Sequence, residues 1–496
     1  MPAPQLFLGI DQGSSATKGA VVDSAGTILH ELHEPVPERK EAGERVEQDP
    51  NGILESVVRV IDRSRRWAQG QGLQVSAAGL AVQRSGVLAW NGTDGRVRHP
   101  MLTWADTRTS PIIKDFGRGV ERISAKTGLP TIPHFAAGKI HLLQRQFLEP
   151  SVLVATLDSF LIHRLGGKKS FITEDTMAAR TMLYALSERG WSADLCREFA
   201  VDASRLPEIR ASIADHGSYD SLPILALLGD QQAALIGRLG PQGRALLNIG
   251  TIASLTKDTG ASPVQKTGLM TSVLLSRVSP DGSSRDLRFL VEATSPVTGA
   301  ALLEPLRRGW CASSEELNAL CESSLAECPE GRAIGYFVGH RAASPSSDAK
   351  LPNVMACKSG ASVADRARAV VENVGNIIVR MIEEFSDKGL LGRSVPAEID
   401  VAGGGSETPF LLQYVADVSG HALCRLPSRE AGTRGAALCA MMHGQQGLEA
   451  AGLNSEGAEH VYRCERPERR RRHMMWLRLE QDVMRGTLPP HAEVEP

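Results

Sequence analysis

Nowhere does the 496-residue chain offer the roughly 20 uninterrupted apolar residues that a membrane span needs; even Ile224-Leu225-Ala226-Leu227-Leu228 stops at Gly229-Asp230. The opening Met1-Pro2-Ala3-Pro4 runs directly into Leu6–Ile10, too short for the core of a secretion signal and broken by Asp11. The sequence therefore reads as a soluble, cytoplasmic protein with no membrane partner. The 8 cysteines, at 196, 311, 321, 328, 357, 424, 439 and 464, include no CxxC pair. That spacing excludes a zinc site or a disulfide framework and suits a reducing compartment. A charge excess is missing too: 55 Lys and Arg stand against 57 Asp and Glu, net -2. Nucleic acid is not expected as a partner. With 42% hydrophobic residues the chain is not disordered, and its length suffices for two large domains.

What is present is a repeated pattern. An apolar run, Leu6–Ile10, leads into the small, hydroxyl-rich Asp11–Lys18, then into apolar Gly19–Val22 and a turn at Asp23-Ser24-Ala25-Gly26. A similar unit recurs at Ala245–Ile249, Gly250-Thr251 and Ile252–Leu255, which points to two related lobes. Helical period marks 51–67, 152–165 and 366–385. Glu398–Ala402 reads as a strand running into Gly403-Gly404-Gly405, followed by a helix over 409–418. Near the end, Arg469-Arg470-Arg471-Arg472 is interspersed with acids and reads as a solvated helix face or terminal extension.

Two of these segments can carry chemistry. A carboxylate at the end of a strand, Asp11, can hold a magnesium ion through water, while Gly13 lets the backbone approach a phosphate whose oxygens Ser14, Ser15 and Lys18 can contact. The same residues would equally suit a polar hairpin. Asp230, after an apolar run and before a small-residue helix, is placed to take a proton from a hydroxyl, or simply to cap that helix. Gly250-Thr251 and Gly403–Gly405 are glycine turns after strands, suited to close approach of a nucleotide.

Taken in order, Asp11–Lys18, Gln83-Arg84, Trp104–Arg108, Gly229–Ala234, Gly250-Thr251 and Gly403–Gly405 resemble the motifs of the FGGY carbohydrate kinases. The likeness covers about residues 5 to 445 and is nearest to glycerol kinases at Thr127–Lys139, Thr173–Leu183, Gly229–Leu235 and Arg429–Ala437. The resemblance implies an α/β, two-lobed actin/hexokinase-like (ribonuclease H-like) ATPase fold with an inter-lobe cleft. Residues 1–240 would form the N-terminal lobe and 241–445 the C-terminal, ATP-binding lobe, with 446–496 an extension of unassigned role. It implies ATP and Mg2+ as cofactors, with Asp11 organising the metal. Gly13, Ser14, Ser15, Lys18, Gly250, Thr251, Gly403, Gly404 and Gly405 would bind ATP. Gln83, Arg84, Trp104, His134, Asp230 and Gln231 would bind a small polyol or sugar, Asp230 as the general base. Family members are often homo-oligomers.

The acceptor side departs from the glycerol kinase pattern. Ser85 stands where those kinases carry Glu, His134 where they carry Tyr, and Ser254 where they carry an aromatic. Loss of a polar partner that reads a hydroxyl shifts selectivity by orders of magnitude, so a larger or differently hydroxylated acceptor, such as a tetritol or ketopentose, is expected. A pentulose kinase of the xylulokinase type is the alternative, although the Met-His pair such kinases carry near Gln83-Arg84-Ser85 is absent. A catalytically poor ATP-dependent sensor on the same fold is a further alternative, but it would have no need of Asp230. The Ser/Ala/Pro-rich segment 337–348 reads as a flexible loop, and Trp104 as either a stacking wall or core, with Asp106 and Arg108 pairing behind it.

Overall fold

The computed structural model describes residues 5–36, 38–40, 44–114, 119–166, 170–238, 243–250, 252–279, 281–295, 301–328, 330–336, 353–391, 397–427, 430–444, 458–485, 487 and 492–495. Segment 337–348 and Thr251 lie outside them. Contacts divide the chain into two units, one of Met1–Leu239, Asp258–Val291 and Glu430–Ser455, the other of Gly240–Lys257, Glu292–Arg429 and Glu456–Pro496.

In the first unit, strand Leu6–Gln12 pairs antiparallel with Ala16–Asp23, which pairs antiparallel with Ile28–Pro35. On its other side Leu6–Gln12 runs parallel to Val75–Val82, and that strand parallel to Leu222–Gly229. Alternation decides the faces. Leu6, Leu8 and Ile10 pack with Ile53, Val57, Val60 and Ile61 of the helix Pro50–Gly70. Phe7 turns the other way, onto Ala437, Leu438 and Met441 of the helix Ala431–Met441. The helix Pro50–Gly70 starts where Asp49 accepts from the amides of Asn51 and Gly52, with Pro50 in the first turn.

Helix Ala431–Met441 lies so close to the sheet and to helix Asp230–Gly237 that only glycine fits between them. A Cβ at Gly9 would fall on the carbonyl of Thr433, one at Gly79 on that of Ala436, one at Gly237 on that of Ala431, and one at Gly435 on that of Ala233. Because the opposing atoms are backbone, neither side yields by a rotamer change. Gly435→Ala is expected to cost about 3 kcal/mol, the upper end of ordinary overpacking, whereas Gly70→Ala, with nothing within 4 Å of its Cβ, should stay within about 0.5 kcal/mol. Urea unfolding midpoints of the two variants check this.

In the second unit, Ala245–Ile249 pairs antiparallel with Ala253–Gly260 and parallel with Glu398–Ala402, which pairs parallel with Ala422–Arg425. Both glycine-containing hairpins expected from the repeated pattern are thus present. The helix Val363–Asp387, opened by a reciprocal Ser362–Asp365 capping box, is buried along most of its length. Pro409–Ser419 follows the glycine turn as a helix.

Two expectations are corrected. The segment 152–165 is not one helix: Val152–Thr156 is a strand paired with Val87–Asn91, and only Leu157–Leu165 is helical. A short, mostly apolar run does not by its period separate a buried strand from a buried helix. The arginine run is not a solvated face either. Arg470 and Arg471 are exposed, but Arg469 and Arg472 are buried. Arg469 pairs with Asp417 at 3.0 Å, and Arg472 reaches Glu372, the carbonyl of Glu330 and the carbonyl of Ala333. Burial works against the Glu372 charge, yet Arg472 and Arg368 outweigh it and hold the carboxyl below its usual range. The helix Arg470–Arg485 also places Trp476, Leu479 and Val483 against Ile377, so the C-terminal segment is part of this unit's core.

Candidate active site

Asp11 sits near the end of the first strand, opposite Lys18 of the second. The intervening loop turns its carbonyls inward. Gln12 Nε2 donates to the Gly13 carbonyl at 2.7 Å, Gln48 Nε2 to that of Ser14 at 2.5 Å, and the Val36 amide to that of Ser15 at 3.0 Å. Because a trans peptide points its N–H opposite to the preceding C=O, the amides of Ser14 and Ser15 face away from these donors, as an anion-binding loop requires. Lys18 Nζ is engaged by Glu430 Oε1 at 2.9 Å, an ion pair between residues 412 positions apart.

The Asp11 carboxylate touches the start of helix Ala431–Met441, where a Cβ on Gly432 would strike Oδ2. Its Oδ1 is sealed from solvent and has no hydrogen-bond partner. Burial first, then the charges of Asp230 and Glu430, push its carboxyl up to about 7 against the pull of Lys18. A sealed, unpartnered carboxylate oxygen is what a divalent cation would satisfy. Among the described residues no group of three or more His, Cys, Asp or Glu is arranged to hold a metal, so such an ion would draw most of its ligands from phosphate and water.

Asp230 opens the helix Asp230–Gly237, directly after the strand Leu222–Gly229. Arg84 Nε lies 3.1 Å from Asp230 Oδ1, and Arg84 Nη1 donates to Gln232 Oε1 at 3.4 Å. The Asp230 side chain is a quarter exposed, 26%, against 7% for Arg84. Gln231 is buried beside it. Gln83 is buried and donates to Gln48 Oε1 at 3.0 Å and Gln12 Oε1 at 3.2 Å, tying the loop after Val75–Val82 to the Asp11 loop, while its own Oε1 has no partner. Trp104 and His134 are partly exposed, their rings 5.7 Å apart and tilted by 45°. Asp106 and Arg108 pair, at 2.9 Å from Arg108 Nε to Asp106 Oδ1. Lys139 is fully buried and donates to the carbonyls of Ser85 and His134 at 3.1 and 2.7 Å, binding together two of the three positions that depart from the glycerol kinase pattern. Burial lowers its ammonium to about 7.

The second unit carries the other glycine turns. The Gly403–Gly405 turn lies on the residues that precede Gly250: a Cβ at Gly403, where φ is 87°, would come within 2.6 Å of the Ile249 carbonyl, whereas one at Gly404 would meet nothing within 4 Å. Two turns far apart in sequence are thereby adjacent. Ser254 is buried and donates to the equally buried Glu292 Oε1 at 3.2 Å, so its hydroxyl is taken up by the protein.

Several residues of this constellation carried no assigned role in the sequence. Gln12 and Gln48 hold the Asp11 loop, Glu430 holds Lys18, and Glu292 holds Ser254; Gln12 and Glu430 lie inside marked stretches, whereas Gln48 and Glu292 lie in none. Among the described residues, no helix is long and apolar enough to cross a membrane.

The profile of the FGGY family of carbohydrate kinases, N-terminal domain, matches residues 6–237, and that of its C-terminal domain matches residues 259–444. A glycerol kinase of Rhodospirillum centenum is 30% identical over 431 residues, covering 83% of this chain and 84% of the relative. The crystal structure of Plasmodium falciparum glycerol kinase with ADP superposes with a TM-score of 0.83 at 20% identity, covering 98% of this chain and 99% of that one. A ligand-bound xylulose kinase of Lactobacillus acidophilus superposes with a TM-score of 0.78 at 19% identity, covering 98% and 99%. At such identities the superpositions establish the fold.

Proposed function

The chain belongs to the FGGY family of carbohydrate kinases, actin/hexokinase-like α/β enzymes of ATP-dependent sugar and polyol phosphorylation, and from that premise we propose that its acceptor is a small polyol or sugar other than glycerol, deprotonated by Asp230. The observation that carries the base assignment is the Arg84–Asp230 pair. The guanidinium holds one carboxylate oxygen in a fixed direction, and the partial exposure of Asp230 keeps the carboxylate within reach of a substrate hydroxyl.

As the acceptor oxygen bonds to the γ-phosphorus of ATP, Asp230 takes its proton; the bond from that phosphorus to the β–γ bridging oxygen breaks, and ADP leaves. Positioning and charge stabilisation supply the rest. Asp11 would hold a magnesium ion, whose chemistry is to neutralise charge on the phosphate oxygens. Ser14 and Ser15 present amides to phosphate, and Gly13 lets the backbone come close. In the second unit, Gly250 and Gly404 leave main chain uncovered for a nucleotide, while Gly403 and Gly405 seat the turn on Ile249; Thr251 is assigned to that turn by resemblance alone.

The acceptor assignment rests on Ser85. It is buried, its Oγ has no partner, and its φ is 66°, in the left-handed region. No carboxylate stands at that position to read a glycerol hydroxyl, and Trp104 and His134 form the adjoining wall. The test is ADP release with magnesium and ATP across glycerol, erythritol, D-xylulose, D-ribulose and ketohexoses. Glycerol is expected to be at least about tenfold poorer in kcat/KM than the best acceptor. Glycerol as the best acceptor would overturn the assignment.

A further inference from the structure

We propose that Thr176, locked by the buried carboxylate of Glu174, is a positioning residue that sets where Asp230 stands. The inference rests on the reading of Asp230 as the base, and it concerns a chain of hydrogen bonds in the first unit that ends on the backbone of Gly229, the residue before Asp230.

Asp230 is the first residue of its helix, and the residue before it, Gly229, provides no side chain to cap that helix. What holds the junction is the Gly229 amide, which donates to Thr176 Oγ1 at 2.8 Å. A hydroxyl has a single hydrogen. Since Gly229 N–H points at the Thr176 oxygen, the Thr176 hydrogen goes to its other neighbour, Glu174 Oε1, at 2.5 Å. The direction of the chain is therefore fixed from Gly229 through Thr176 to Glu174.

Glu174 is itself immobilised. It caps the short helix Asp175–Ala178, accepting from the amides of Met177 and Thr176 at 2.7 Å each, one on either carboxylate oxygen, and its Oε2 also accepts from Ser212 Oγ at 2.7 Å. Ser212 in turn exchanges bonds with Ser276. Glu174, Thr176 and Ser212 are each fully buried. Two backbone N–H groups can only donate, so both Glu174 oxygens must accept and a carboxamide does not match this socket, even though burial pushes the carboxyl up to about 8 against these hydrogen bonds: Glu174→Gln would turn its NH2 toward one of them. On the far side of Asp230, Gln232 Nε2 donates to the Val273 carbonyl at 3.1 Å while its Oε1 accepts from Arg84. Arg84 and Gln232 thus aim the Asp230 carboxylate, and Thr176 with Glu174 fixes the main chain from which it projects. An error of about 1 Å in such a base can cost roughly a hundredfold in rate.

The test uses the full-length chain with Thr176→Val, which keeps shape and loses the hydroxyl, Thr176→Ser, which restores it, and Glu174→Gln. Hydrogen–deuterium exchange of the peptide spanning 222–235 is measured beside ADP release from magnesium-ATP, with erythritol and D-xylulose as acceptor probes. Thr176→Val and Glu174→Gln are expected to exchange about tenfold faster at this junction and to lower kcat about 10- to 100-fold, with the KM values for ATP and acceptor within about twofold. Thr176→Ser should recover both readouts. A folded Thr176→Val with unchanged exchange and kcat, or a Thr176→Ser that recovers neither, overturns the proposal. Should Thr176→Val not fold, the comparison of Glu174→Gln with Thr176→Ser decides it by the same two readouts. Faster exchange together with an Asp230→Asn enzyme that still turns over would instead reject Asp230 as the base while leaving the junction as described.

Discussion

Asp230→Asn is expected to lower kcat by about 10²- to 10⁴-fold, the contribution of a positioned general base, with ATP affinity unchanged. The substitution is nearly isosteric. The Asn oxygen still accepts from the Gln231 amide, as Asp230 Oδ1 does at 2.7 Å, and still faces Arg84. What it cannot do is take a proton from an alcohol. Some destabilisation follows as well, because the 7%-exposed Arg84 loses its ion pair with Asp230 and weakening the pairing of a buried charge is costly. Steady-state ADP release gives the kcat, and calorimetric titration with magnesium-ATP gives the affinity. A variant that keeps wild-type turnover while bound to ATP would take the base role away from Asp230.

Asp11→Asn is expected to abolish magnesium-dependent turnover and yet yield a more stable nucleotide-free protein at about pH 8. Burial, and then Asp230 and Glu430, raise the Asp11 carboxyl from 3.8 to about 7 in the folded chain. A raised carboxyl binds its proton more tightly when folded than when unfolded. Its stability contribution is therefore full below about pH 4 and lost as pH rises through about 7. Asparagine carries no charge to lose, so the variant escapes this penalty, an advantage of at most a few kcal/mol for a shift of this size. Melting temperatures without nucleotide should coincide near about pH 4 and separate toward about pH 8 in favour of Asp11→Asn. Magnesium-ATP should raise the melting temperature of the wild type much more than that of the variant. A variant less stable than the wild type at the alkaline end would show that attraction to Lys18 outweighs burial and the neighbouring carboxylates.

The two effects share a cause. Asp11 and Asp230 are like charges held near each other, with Glu430 adding a third, and Lys18 and Arg84 offset them only in part. Such an arrangement costs stability in the ligand-free protein, a cost that the proposed magnesium and phosphate ligands would offset.

From the residues alone, the strand–loop–strand units over 6–22 and 245–255, helical period over 51–67 and 366–385, and Asp11 and Asp230 at strand ends were legible. Each depends on neighbours a few positions away: alternation, a cap such as Asp49 or Ser362, a glycine turn. Only the tertiary structure decided which distant groups meet. It joined Lys18 to Glu430 and Arg84 to Asp230, set Thr176 under Gly229, brought Gly403–Gly405 onto Ile249, and buried Arg469 and Arg472 in a run that looked solvated. The reason is physical. Backbone preference and period are local quantities, written within a turn or two of chain. Burial, the direction of a hydroxyl's single hydrogen and the ionisation of a carboxylate depend on atoms supplied by segments far away along the chain.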